Sequence, residues 1–144
     1  MSRYLWVAAV CVAMVGCSGQ SGTDTDRSTD ALAVYEAVFR HHLPKHSADF
    51  KAYLTIDGKD PSAELLQRLR RDWPNLKPGS EEPKEKGHRI SADELKWTGR
   101  DSAEVKAGYW FPTRFAGEGG FGDYHLIRKA EGWVVEKVTN EVMS

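Results

Sequence analysis

The chain has 144 residues, with 20 Lys and Arg against 21 Asp and Glu, a formal net charge of −1. So even a balance supplies neither the basic field that nucleic-acid binding uses nor attraction to an anionic membrane surface. Both cysteines, Cys11 and Cys17, lie near the N-terminus, so the rest of the chain can form no disulfide, Cys-based zinc site or thiol nucleophile.

Arg3 gives the chain a positive start, and Tyr4 to Val15 is a mostly apolar run. This is the pattern of an export signal. The run is shorter than the roughly 20 residues that span a bilayer. It closes on Met14-Val15-Gly16-Cys17, which resembles the lipobox of bacterial lipoproteins: a Leu-like residue, a small residue, Gly or Ala, then Cys. The resemblance implies lipidation of Cys17, removal of residues before it, and acyl chains such as palmitate as the membrane anchor. One chain gives marginal residence at about 0.8 kcal/mol per buried CH₂, so two or three are needed to hold the protein. Ser18, where the resemblance would want Asp for retention at the inner membrane, implies the periplasmic face of the outer membrane in a Gram-negative cell.

Residues 18–30, SGQSGTDTDRSTD, contain no apolar side chain, and such composition predicts a flexible tether reaching about 20 Å. From there to residue 144 the length suits one domain. Thr29 or Asp30 offers a cap, and Leu32, Tyr35, Phe39 and His42-Leu43 recur at helical spacing. A helix is predicted over 31–42, stopped by Pro44. KAYLTI (51–56) predicts a strand ending at the Asp57-Gly58 turn. Asp60 as cap, Pro61 at the first helical position and the Leu65, Leu66, Leu69 face predict a second helix. Its last turns carry Arg68, Arg70 and Arg71, and a long solvated loop runs from Trp73 to Gly87.

Beyond Arg89 the pattern becomes β. Ile90 to Trp97 is one run. From Ala103 to Phe111 the residues alternate, with Val105, Ala107, Tyr109 and Phe111 facing one way and Glu104, Lys106 and Trp110 the other. A Gly-rich loop is expected next, then strands over 124–129 and 133–139. Short connections make these neighbours antiparallel. The predicted fold is α+β: one or two N-terminal helices on a curled antiparallel sheet of four or five strands. That order resembles the cystatin-like and nuclear-transport-factor-like folds. Asp57 to Ser62 (DGKDPS) and Gly132-Trp133-Val134-Val135 are similar to segments of short bacterial envelope proteins. The resemblance implies no activity, since fold does not carry function.

Several residue sets invite a chemical reading. Gly117 to Gly122 (GEGGFG) matches G-x-G-x-x-G, but a dinucleotide site needs a helix after it, and Asp123 to Ile127 reads as strand. A hairpin loop with φ > 0 glycines explains it better. His41, His42 and His46 cluster near the first helix end, but Pro44 separates them and no metal is expected; histidines at a helix C-terminus explain them. Asp57 and Asp60 lack the closing Glu of a calcium loop and read as turn and cap. No nucleophile–base motif appears, so no catalytic residue and no cofactor are assigned. His125, near Asp123 on a strand, is a candidate ligand handle in a concave sheet.

Aromatics are the remaining signal. Tyr109, Phe111, Tyr124 and Trp133 fit the core by alternation. Trp110, with Phe115 and Phe121 in the glycine segment, is harder to bury. Trp110, Phe115 and Phe121 either pack under the long loop or form a binding patch for an envelope protein or cell-wall polymer. The expected role is a lipid-anchored, non-catalytic envelope module. The alternative is a small-ligand protein or weak enzyme with a pocket between helix and sheet, using His125 or a tyrosine as polar handle.

Overall fold

The computed structural model describes residues 23–83, 87–113 and 117–144. Helix α1 (Thr23–His42) is followed by β1 (Tyr53–Ile56), α2 (Ala63–Leu69), β2 (Lys77–Pro78) and a 3₁₀ turn at Gly79–Glu81. Four long strands complete the order: β3 (Arg89–Trp97), β4 (Ser102–Pro112), β5 (Gly117–Lys129) and β6 (Gly132–Met143). They form one six-stranded sheet in the order β2-β1-β3-β4-β5-β6. The α+β expectation stands at that level. The sheet, however, is mixed and has more strands than the four or five predicted: β1 runs parallel to both β2 and β3, and only β3 to β6 form an antiparallel meander.

Helix α1 begins at Thr23 rather than Ala31, so the latter part of the expected tether over 18–30 is helical. Apolar periodicity could not show this, because polar contacts secure the first turns. Arg128 Nη2 donates to Asp30, Trp133 Nε1 donates to the same carboxylate at 3.5 Å, and Arg27 lies over Trp97 at 5.0 Å from the ring centroid. The helix stops where expected, at His42 ahead of Pro44. Val34, Val38 and Phe39 are fully buried against the sheet and α2, whereas Leu32 and Tyr35 are half-buried. Burying each such side chain contributes about 1.5–3 kcal/mol.

The Asp57-Gly58 turn forms as read. Both residues have positive φ (49° and 71°), the pairing of a tight two-residue hairpin, and Ile56 and Lys59 exchange backbone hydrogen bonds across it. Asp57 also accepts from the Glu94 amide at 2.8 Å, which holds an irregularity in β3 where Glu94 takes φ 52°. In α2, Leu65, Leu66 and Leu69 are buried as the spacing predicts. The cap differs: Ser62, not Asp60, accepts from the Leu65 amide. Asp60 instead accepts from the amide and hydroxyl of Ser80 at 2.8 and 2.6 Å, pinning the turn after β2. Glu36 joins the two helices, taking Arg40 at 2.9 Å and Arg68 at 3.5 Å.

Trp73, at the start of the expected solvated loop, is buried and donates Nε1 to the Pro44 carbonyl at 2.9 Å. Leu76 is fully buried and Lys77–Pro78 pairs with β1. The segment is therefore sheet edge and core as well as loop. The core lies between α1, α2 and one face of the sheet, lined by Leu54, Ile90, Ala92, Ala103, Val105, Ala107, Tyr124 and Leu126. Among the described residues, no α-helix covers the other face.

Candidate functional site

Strand register decides what the helix-free face displays. Val105 pairs with Tyr124 and Ala107 with Gly122 on the core side, so Glu104, Lys106, Gly108 and Trp110 point outward with His125, Asp123, Phe121 and Gly119. Two rungs cross this face near one end. Arg89, Trp110 and Gly119 make one; Thr55, Ser91, Gly108, Phe121 and Val142 make the next. Between them they line an open groove of about 500 Å³, to which Glu82 and Ser144 also contribute.

Two of the three residues of the predicted patch meet here. Trp110 is half-buried and Phe121 is 61% exposed, the latter beside its cross-strand partner Val142 at 48%. Phe115 lies outside the described residues, as does Cys17. Among the described residues, Trp110 packs on β5 and beneath Arg89. Its indole lies across Gly117 and Gly119 of β5, where a Cβ on Gly117 would fall inside the ring. Arg89 stacks over it, its guanidinium carbon 4.8 Å from the centroid, a contact worth about 0.5–1 kcal/mol at exposed sites.

This corrects the reading of Gly117 to Gly122 as a hairpin loop. The segment is strand throughout, and positive φ among glycines occurs at Gly58 and Gly132. These glycines serve close approach instead: side chains at 117 or 119 would displace Trp110 or the β4 backbone. No helix follows, so the phosphate-cradle geometry does not arise.

Glu82 Oε1 lies 3.2 Å from Arg89 Nε, near enough to pair charges but off the line of a hydrogen bond. Both atoms are buried and, among the described residues, neither finds a hydrogen-bond partner. Such orphaned polar atoms are uncommon and mark a place where a ligand or water completes the structure.

His125 belongs to the same outward face, not to a pocket between helix and sheet. Its Nε2 is 2.8 Å from Thr139 Oγ1, and Nδ1 is 3.4 Å from Glu104. A local network thus occupies both ring nitrogens, and His125 is not a lining residue of the groove.

A second, smaller cavity of about 290 Å³ does open between α1 and the sheet, lined by His41, His42, Tyr109, Phe111, Tyr124 and Glu141. Burial, with the neighbouring His41, pushes the His42 pKa down to about 4. Its imidazole is therefore neutral at ordinary pH, packed 5.0 Å from Tyr124 and 5.5 Å from Tyr109, with Nε2 buried and unpartnered. Burial, with Glu141 and Tyr109, raises the Tyr124 phenol to about 12, so its proton stays on. His46 faces a different cavity beside Arg40, Lys45 and Arg71. The three histidines are thus split, and among the described residues no group of three or more His, Cys, Asp or Glu could hold a metal ion.

Arg89, Glu82, Thr55 and Ser91 were not singled out from the sequence. They come from different strands and a loop, and only the register of β1 on β3 and β3 on β4 brings them together. No family model matches the chain, and no curated protein or solved structure matches it either.

Proposed function

We propose that this protein is a lipid-anchored envelope module that binds a partner, without catalysis, through the helix-free face of its sheet. The observation that carries this reading is the convergence of Trp110 and Phe121 on one open groove, with an ionic pair and two hydroxyls beside them. Phe121 and its cross-strand neighbour Val142, both exposed, together offer an apolar contact beside the charged groups of this face. The lipobox-like segment ending at Cys17 supports the anchor and export.

The test is crosslinking from intact cells with the full-length tagged protein, run beside Phe121→Ala. Phe121 is exposed and its loss leaves the core untouched, so a partner lost in that variant supports the face as the binding surface. Equal capture by both proteins overturns it.

A second reading is favoured by one observation, the unpartnered Nε2 of His42 in the cavity between α1 and the sheet. A small ligand carrying a hydrogen-bond donor would satisfy it, with the Tyr109 and Tyr124 hydroxyls as further handles. His125 plays no part in that reading.

A further inference from the structure

Resting on the binding reading above, we infer that the groove takes a neutral oligosaccharide chain. Its floor argues first. Gly108 pairs with Ser91 on one side and Phe121 on the other, and Gly119 pairs with Trp110, all in the interior of the sheet. The floor's backbone groups already serve the ladders to their neighbours. An extended peptide binds a sheet by adding hydrogen bonds along a free edge, and this lane crosses the strands instead. Recognition here must come from side chains.

The shape comes from missing side chains. On β4, Gly108 sits between Trp110 and Lys106; on β3, Ser91 sits between Arg89 and Asp93. The Arg89–Trp110 rung walls the groove on one side, its floor is Gly108 with the small hydroxyl residues Thr55 and Ser91, and Phe121 closes it at the β5 end.

The charges are already matched. Arg89 stands against Glu82, and Lys106 reaches Glu94 at 2.7 Å, so the walls select for neither an anion nor a cation. What remains is the exposed phenyl of Phe121, the part of the Trp110 indole that lines the groove, and the hydroxyls of Thr55 and Ser91. A pyranose ring is their complement, with apolar C–H faces for the aromatics and a rim of hydroxyls that both donate and accept.

The experiment is titration of the full-length, ¹⁵N-labelled protein, in a detergent without a sugar headgroup, with chitotetraose and cellotetraose. The expected result is saturable shifts at the amides of Thr55, Ser91, Gly108 and Phe121 and at the Trp110 indole. Phe121→Ala, and separately Thr55→Val with Ser91→Ala, should each weaken binding about tenfold, the scale of one lost ring contact or hydrogen-bond pair. These variants spare the core, unlike Trp110→Ala, which uncovers Gly117. No shift with either sugar, or shifts confined to other surfaces, overturns the inference. The crosslinking comparison then separates the two failures: a protein partner lost in Phe121→Ala leaves the binding face standing without the sugar, and equal capture removes both.

Discussion

The indole of Trp110 occupies the space that a side chain on Gly117 would need. Gly117→Ala must therefore lift the ring from β5 or bend the strand. We expect a loss of about 1–3 kcal/mol, the scale of overpacking at a tight site, read by denaturant unfolding, with a shift in tryptophan emission. Gly58→Ala is the control, because nothing lies within 4 Å of that position and its only penalty is the positive φ of 71°. That penalty is about 1 kcal/mol. Equal stability of Gly117→Ala and wild type would show that the ring does not rest there.

His42 should make the fold acid-sensitive over a defined window. Its folded pKa of about 4 lies below the ordinary imidazole value of 6.5. Between those values the unfolded chain binds the proton and the native state does not, so this group lowers stability as pH falls from 6.5 to 4 and adds no further slope below. The full loss is about 3 kcal/mol. His42→Leu removes both the titration and the orphaned Nε2. Unfolding midpoints measured from pH 7 to pH 4 should fall less steeply in the variant, and parallel curves would show that His42 titrates normally.

Asp30 ties the first turns of α1 to the sheet through Arg128 and Trp133. The pair is partly exposed, with Arg128 37% and Asp30 21% accessible, so its contribution is at most about 1 kcal/mol. Asp30→Ala should leave global stability almost unchanged but raise amide exchange in the helix before Val34. Unchanged exchange there would mean that the Arg27 contact with Trp97 suffices to hold the turns.

Cys17→Ala should release the protein from the membrane fraction or leave its leading segment uncut. Fractionation and gel mobility identical to wild type would refute the lipid anchor.

The strands that alternate cleanly were legible, as were α2 and the Asp57-Gly58 turn, because period and turn chemistry are local properties. The first half of β5 was not. Glycine has poor strand propensity, and only the Trp110 ring and the tight ladder with β4 explain why Gly117 to Gly122 is strand. The two-residue β2 carries no period at all, and its pairing with β1 depends on the burial of Leu76 and Trp73 nearby. The helical turns at 23–30 were hidden for a related reason: their partners, Arg128, Trp133 and Trp97, are remote in sequence. Of the candidate site, the outward face of Trp110 could be read from alternation. The gathering of Glu82, Arg89, Thr55 and Ser91 around it depends on register, which a single strand does not encode.

The opposed ends of α1 have a mechanical consequence. Its N-terminal turns meet the sheet at Arg128 and Trp97, whereas its C-terminal turn meets Tyr109 and Tyr124 near the groove end. The helix between Arg27 and His42 separates the two by about 20 Å. Were the chain held ahead of Thr23, as the proposed anchor requires, the domain would be gripped at one pole and the groove displayed at the other. Tension between anchor and ligand would run along β4 and β5, loading their ladder from Ser102–Ile127 to Pro112–Gly117 in shear, across many hydrogen bonds at once, rather than unzipping it from one end.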